Sequence, residues 1–300
     1  MNENLTSGPD LLNNLVSVLT RFRTGKIAMM SDIEQMFHQV LVPEKDQNSL
    51  RFLWRNQQSN IIEEYKFLIH FQGKTDSPCC CNWALQKCAE NQEEKVSEAI
   101  TKNFYMDDFL GCSKSPEEAI DIAKKLISTL QEGGFRLTKW ISNSTEFLSK
   151  IPKEELSPKI TEVRLDNLPI ERALGVFWDP NTDVFKFKIG NKLYKETKRG
   201  LLSLISSVFD PLGFLTPCMI EPKLLIQTLW SEKIDWDDEL PPDILCRVKK
   251  WKEGLDKLDI SIPRWIYYGD EVFRVELHIF CDASFKAYGA VSFLRIVKRN

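Results

Sequence analysis

Thr101-Lys102-Asn103-Phe104-Tyr105-Met106-Asp107-Asp108-Phe109-Leu110-Gly111-Cys112 is the most informative stretch of the chain. Apolar and aromatic residues flank two adjacent aspartates, the pattern of a β-hairpin whose tight turn carries Asp107 and Asp108. Upstream, Lys26-Ile27-Ala28-Met29-Met30-Ser31-Asp32 is short and apolar, bounded by Gly25 and an acid, and reads as a buried strand ending at Asp32. If these strands lie side by side in one sheet, the three carboxylates converge at one end of it. Such a cluster offers hard oxygen ligands suited to Mg²⁺ or Mn²⁺. Two such ions about 3.5–4 Å apart can activate a 3′-hydroxyl and stabilise a leaving pyrophosphate. Phosphoryl transfer asks mainly for positioning and charge neutralisation. Taken alone, an Asp-Asp pair between apolar residues is more often a solvated turn.

Around this core the chain alternates helix and strand. Residues 9–23 carry an apolar stripe (Leu11, Leu12, Leu15, Val16, Leu19) and predict a helix. A short helical turn is expected over Ile33–Gln39. Arg51–Trp54 and Tyr65–Ile69 read as strands separated by a polar loop. Ser77-Pro78 opens a helix running to about Cys88. Ser115, Pro116 and Glu118 specify the start of another, and Gly133-Gly134 its end. Ala173–Trp178 reads as a buried strand, followed by a turn at 179–183 and an alternating strand over Val184–Lys188. Residues 192–230 are helical in pattern, interrupted at Asp210-Pro211-Leu212-Gly213 and at Thr216-Pro217. Pro241-Pro242 starts a helix ending near Leu258, and 277–293 returns to strand–turn–strand around Asp282.

The 300 residues are 43% hydrophobic and 28% charged, close to a soluble globular average, which excludes extended disorder as the main state. No apolar run approaches the length of a membrane span, and the N-terminus lacks the layout of a signal peptide. The net charge of −3 means that nucleic-acid binding would need a local basic surface. Such a surface is offered by Lys186, Lys188, Lys192, Lys195, Lys198 and Arg199, against Glu196 alone. The eight cysteines read as reduced intracellular thiols. The absence of a C-x-x-C pair argues against a zinc site. The expected location is intracellular and cytoplasmic, with no membrane partner.

Three motifs then carry a resemblance. Tyr105-Met106-Asp107-Asp108 resembles the YxDD box of reverse transcriptases. Ser31-Asp32-Ile33-Glu34-Gln35-Met36-Phe37 resembles their first metal-binding motif, and Gln72-Gly73-Lys74-Thr75-Asp76-Ser77-Pro78 the QG…SP motif between the two. Order and spacing agree. Gly8–Leu12, Arg21–Arg23, Arg51–Trp54, Lys139–Asn143, Ser207–Gly213 and Asp235–Asp238 narrow the likeness to the polyprotein of Bel/Pao-type LTR retrotransposons.

The resemblance implies an α+β fold. It comprises a right-hand polymerase palm of antiparallel sheet and packed helices, with partial fingers, over residues 1–165. A primer-grip hairpin and helical thumb or connection cover 166–270, and the incomplete first strands of a ribonuclease H-like domain cover 271–300. It implies RNA-directed DNA polymerase activity on an RNA or DNA template with a primer, using deoxynucleoside triphosphates and two Mg²⁺ or Mn²⁺ ions. Asp32, Asp107 and Asp108 would be the catalytic carboxylates and metal ligands, with the backbone carbonyl of Ile33 a further ligand. Phe37 would exclude a ribose 2′-hydroxyl, and Gln72 with Gly73 would lie along the incoming nucleotide. Tyr105 and Met106 belong to the same nucleotide site, with Lys139 near the leaving pyrophosphate. Gly175, Phe177 and Trp178 would support the primer end. Lys192, Lys195, Lys198 and Arg199 would lead into a thumb that tracks the nucleic-acid backbone.

The likeness has departures. Phe71 stands where the family usually has proline, and Cys79-Cys80-Cys81 replaces a more apolar run. The fingers strands that supply triphosphate-holding basic residues are expected to be missing upstream. Asp282 resembles the first metal ligand of a ribonuclease H-like domain, but the further carboxylates are missing, so no such activity is expected. Two competing readings stand beside the polymerase: a relict that folds and binds nucleic acid without polymerising, and an unrelated metal-dependent phosphotransferase.

Overall fold

The computed structural model describes residues 2–158, 168, 170–187, 194–266 and 272–298. They divide into two compact units, the first comprising residues 1–174 and 180–183, the second 175–179 and 184–300. No described helix is long and apolar enough to cross a membrane.

The first unit is built on a four-stranded antiparallel sheet of order β4-β5-β1-β6. Its strands are β1 (Ile27–Ile33), β4 (Phe104–Tyr105), β5 (Asp108–Ser113) and β6 (Leu137–Ser142). β1 is buried almost throughout, as a central strand must be when both its faces are covered. The sheet's core holds Phe104, Phe109, Trp140 and Phe147 in a chain of tilted and edge-on ring contacts with centroids 5.1–6.0 Å apart. The accompanying helices are α1 (Leu15–Phe22), α2 (Glu44–Gln47), α3 (Ser77–Lys87), α4 (Glu94–Lys102), α5 (Pro116–Glu132) and α6 (Thr145–Lys150). A separate hairpin pairs β2 (Arg51–Arg55) with β3 (Ile62–Lys66).

Two expectations shift here. The first helix begins at Leu15, because Asn14 caps it through the Ser17 amide. The preceding Asn13 amide is tied to the carbonyls of Thr101 and Phe104, which holds the approach extended. The expected strand at 65–69 starts earlier, at Ile62, and ends at Lys66. Beyond it the chain pairs elsewhere: the Phe67 amide donates to Leu50, and Ile69 bridges to Leu41.

In the second unit β8 (Val176–Asp179), β9 (Val184–Lys186) and β10 (Ser261–Pro263) form antiparallel neighbours. The single strand expected over 173–178 is broken. Leu174 and Gly175 both take positive φ, +49° and +89°, ending β7 (Glu171–Ala173) before β8 begins. At Gly175 a Cβ would also lie 2.6 Å from the Phe209 ring, so both backbone and space demand glycine. Helices α7 (Lys198–Ser206), α8 (Thr216–Ser231) and α9 (Pro242–Asp256) enclose a core of Leu201, Leu215, Leu225, Leu229, Ile244 and Val248. The expected interruption at Asp210 is real. Its carboxylate accepts the amides of Phe214 and Leu215, at 3.0 and 2.6 Å, which fixes the bend into α8. β11 (Val272–Ala283) and β12 (Tyr288–Lys298) form a long hairpin that turns at residues 284–287 rather than at Asp282.

Candidate active site

Asp32 and Asp108 face each other as Cα partners on the neighbouring strands β1 and β5. Asp107 sits in the two-residue turn between β4 and β5, and its carbonyl accepts the Ile33 amide at 2.9 Å. The expected hairpin is therefore present, displaced by one residue: its turn is Met106-Asp107, and Asp108 is the first residue of β5. Only the first turn position, Met106, has positive φ, at +55°, the type II′ pattern that glycine normally fills. A methionine there costs on the order of 1 kcal/mol. It is held by Asn82 of α3, whose amide lies 3.5 Å from Met106 Sδ and also donates to the Pro78 carbonyl. Asn82 was not singled out in the sequence, although a buried asparagine in the middle of a helix was a usable signal.

The fourth charge of the cluster is Lys139, whose Nζ lies 3.1 Å from Asp32 Oδ1. A β-bulge delivers it. Lys139 and Trp140 together oppose Ser31, and Lys139 adopts φ of +57°. Extra residues of this kind re-aim a side chain, and here Trp140 goes to the core while the ammonium reaches the acids. Burial pushes the Asp108 carboxyl up to about 6, reinforced by the charges of Asp107 and Asp32 and opposed by Lys139. Asp107 is raised for the same leading reason, burial, with Asp32 adding to it. Three partly buried acids answered by one ammonium form a site with unspent negative charge, and all their donors are hard oxygens. The residues fit divalent cations of the Mg²⁺ class.

Of the other expected nucleotide-site residues, Phe37, Gln72 and Gly73 lie on segments adjoining α3. Phe37 is half-buried in the 3₁₀ turn Met36–Gln39, which packs on α3. Gln72 and Gly73 are exposed in the loop entering that helix, Gly73 with φ of +96°. Tyr105 ends β4, half-buried. The Ile33 side chain is fully buried, so it can offer only its backbone.

Of the expected nucleic-acid contacts, Lys192 and Lys188 lie outside the described residues. Lys195 is exposed. Lys198 corrects the expectation that it contacts nucleic acid, because its side chain is buried. It is 3% exposed, with Nζ 4.0 Å from the Trp230 ring centroid, 4.9 Å from that of Trp236, and donating to the Ile234 carbonyl. The helical period of α7 turns this lysine inward, where two indoles and a carbonyl take its charge. Arg199 is exposed but forks onto Asp237, at 2.8 and 3.0 Å. Gly175 is at the break described above and Phe177 is half-buried. Trp178 is wholly buried and serves the core of its unit.

An antiparallel sheet carrying paired acids at the end of a central strand and in an adjoining hairpin turn is the arrangement that the resemblance to a polymerase palm implies. Residues 4–140 match the family described as reverse transcriptase (RNA-dependent DNA polymerase). Residues 197–300 match the Pao retrotransposon-like RNaseH-like domain. The two matched segments are thus similar to a reverse transcriptase domain and to a Pao retrotransposon-type segment, in that order along the chain. Its fold is similar to that of the foamy viral protease-reverse transcriptase. With the dRH form in complex with double-stranded DNA, the TM-score is 0.63 at 14% identity, over 98% of this chain and 45% of that one. With the form in complex with an RNA/DNA hybrid, the TM-score is 0.56 at 15% identity, over 94% and 35%. The chain thus spans less than half the length of these solved structures. No curated protein sequence matches it.

Proposed function

We propose that the chain is the polymerase core of a Bel/Pao-type retrotransposon reverse transcriptase, which joins deoxynucleotides to a primer 3′-hydroxyl on an RNA or DNA template. The observation that carries this reading is the pairing of Asp32 with Asp108 across β1 and β5, with Asp107 in the turn beside them. Asp32, Asp107 and Asp108 would hold two Mg²⁺ or Mn²⁺ ions, with the Ile33 carbonyl available at the same strand end. Bound there, the ions lower the charge barrier between the primer hydroxyl and the triphosphate.

The chain's own residues do the rest. The rigid Met106-Asp107 turn, fastened to β1 through Ile33 and to α3 through Asn82, fixes where the primer end must lie. Lys139 neutralises Asp32 in the metal-free protein. With the carboxylates holding metal, the Lys139 ammonium would be available to balance charge on the departing pyrophosphate. Phe37, in a turn braced by α3, excludes a 2′-hydroxyl, and Gln72-Gly73 lines the approach of the nucleotide. Lys195 contributes to backbone contact with the template–primer, and Gly175 and Phe177 to support of the primer end.

Primer extension on an RNA template with Mg²⁺ or Mn²⁺ tests the proposal. Asp107→Asn is expected to lower extension by at least ~10³-fold, the scale of losing several kcal/mol of charge stabilisation. If neither protein extends while both bind primer–template in a salt-sensitive way, the chain is a binding module and the polymerase reading falls.

A further inference from the structure

A second cluster of ligating side chains lies at the entrance to α3, apart from the three acids. One ring nitrogen of His70, one carboxylate oxygen of Asp76 and Cys80 Sγ are all within 4.8 Å of one another. The residues sit on a short length of chain whose geometry is fixed. Asp76 stands immediately before α3, its side chain making no capping hydrogen bond, and Cys80 occupies the first turn, with the Cys80 amide donating to the Asp76 carbonyl at 3.0 Å. His70 is buried, with its backbone amide on Val40.

The hydrogen bonds around the cluster prepare it for a cation. Ser77 Oγ donates its one proton to the Phe71 carbonyl at 3.0 Å, so its 3.2 Å contact with His70 Nδ1 must be one in which Nδ1–H donates. That fixes the tautomer and leaves the lone pair on Nε2. Metal-binding histidines are held in this way, through a hydrogen bond from the other ring nitrogen. Asp76 is divided likewise. Its Oδ2 takes Lys74 Nζ at 2.9 Å, while Oδ1 is buried with no hydrogen-bond partner. A buried carboxylate oxygen left unpaired is costly and calls for an explanation.

We propose that His70, Asp76 and Cys80 form a transition-metal site of the Zn²⁺ class, with Asp76 Oδ1 as its oxygen ligand. Imidazole and thiolate donors select a borderline-soft ion over Mg²⁺, so the site is chemically distinct from the hard-oxygen cluster at Asp32, Asp107 and Asp108. Around a tetrahedral zinc the donors would stand about 3.5 Å apart, so binding would draw in any pair now nearer 4.8 Å. Asp76 and Cys80 are tied together at the helix start by the Cys80 amide, so the movement falls on the loop of residues 70–75. That loop carries Gln72 and Gly73, and the metal would fasten it. Binding deprotonates Cys80 Sγ, the proton leaving to solvent as the metal–sulfur bond forms.

The first test uses the unaltered chain. Zn²⁺ is expected to slow alkylation of Cys80, mapped by mass spectrometry, by ~10-fold or more, while Mg²⁺ leaves it unchanged and exposed Cys246 reacts as before. An unchanged Cys80 rate with Zn²⁺ overturns the proposal. Co²⁺ gives the second readout, a sulfur-to-cobalt charge-transfer band that the hard-oxygen cluster cannot produce. The band should vanish in Cys80→Ser and in His70→Asn and persist in Cys246→Ser. A band that survives in folded His70→Asn assigns the metal to the Cys79–Cys81 thiols alone and overturns the site. Ser77→Ala keeps all three ligands and should weaken Co²⁺ binding by ~10-fold through loss of the imidazole's anchor. Unchanged affinity in that variant overturns the tautomer argument on which the site rests.

Discussion

At the scale of single residues, the molecule gathers like charges and holds them partly out of water. Asp108 shows the consequence. Its carboxyl titrates near 6, against about 3.9 for an unfolded aspartate. The folded state therefore holds this proton more tightly than the unfolded state. The contribution is fully present below about pH 4 and is lost as pH rises through 6, amounting to on the order of 3 kcal/mol. In chelator, Asp108→Asn should melt roughly 5–10 °C higher than the parent at pH 7.5 and together with it at about pH 3.5. Equal melting at both pH values would show that Asp108 is not desolvated. The same proton competes with metal, so the Mg²⁺ concentration for half-maximal extension should climb as pH falls from 7.5 to 5.5. Lys139→Ala should raise the titration further, because its ammonium is the group that opposes the shift. That the three acids converge was legible from the strand and hairpin patterns around them, whereas their choice as a site rested on the resemblance of the motifs that contain them. Lys139's grip on Asp32 was not legible, because it depends on one extra residue in β6. Nothing local marks a bulge when the residue at positive φ is lysine rather than glycine.

At the scale of elements, the segments with chemical punctuation formed where expected. Ser115 caps α5 through the Glu118 amide, Pro116 follows, and Gly134 with φ of +83° closes the helix. Even here Glu118 Oε2 accepts the Lys114 amide instead of the cap residue's own. The stretch from 194 to 199 was harder, because a lysine run reads alike whether solvated or buried. Which lysine turns inward depends on Trp230 and Trp236, distant in sequence. Thr197 caps α7, and Gly200 lets the Lys195 carbonyl approach so closely that a Cβ would meet it at 1.9 Å. These constraints set the phase of the helix. The two lysines should therefore behave oppositely. Lys198→Ala should cost about 2–4 kcal/mol of stability, having removed a desolvated cation–π and hydrogen-bonding centre. Lys195→Ala should leave stability within about 0.5 kcal/mol and lower the salt slope of primer–template binding by about one. A normal melting temperature for Lys198→Ala would refute the aromatic cage.

At the scale of the whole molecule, each unit has the means to stand on its own energetics. The first closes its sheet over Phe104, Phe109 and Trp140, and the second packs three helices around Leu201, Leu225 and Val248. The alternation of strand and helix in the sequence suggested several regions. The crossing of the chain at 175–184, where residues pass from one unit to the other and back, could not be read from it, since β8 and β9 look like ordinary strands. A chain with two separate cores should not unfold in one step. Urea denaturation followed by tryptophan fluorescence should resolve two transitions, Trp140 reporting the first unit and Trp178, Trp230 and Trp236 the second. The variants then assign them. Asp108→Asn at pH 7.5 should move one midpoint upward and Lys198→Ala the other downward, each leaving its counterpart within about 0.5 kcal/mol, because substitutions in separate cores share no partners. A single transition that both variants shift would mean that the two cores unfold as one cooperative body.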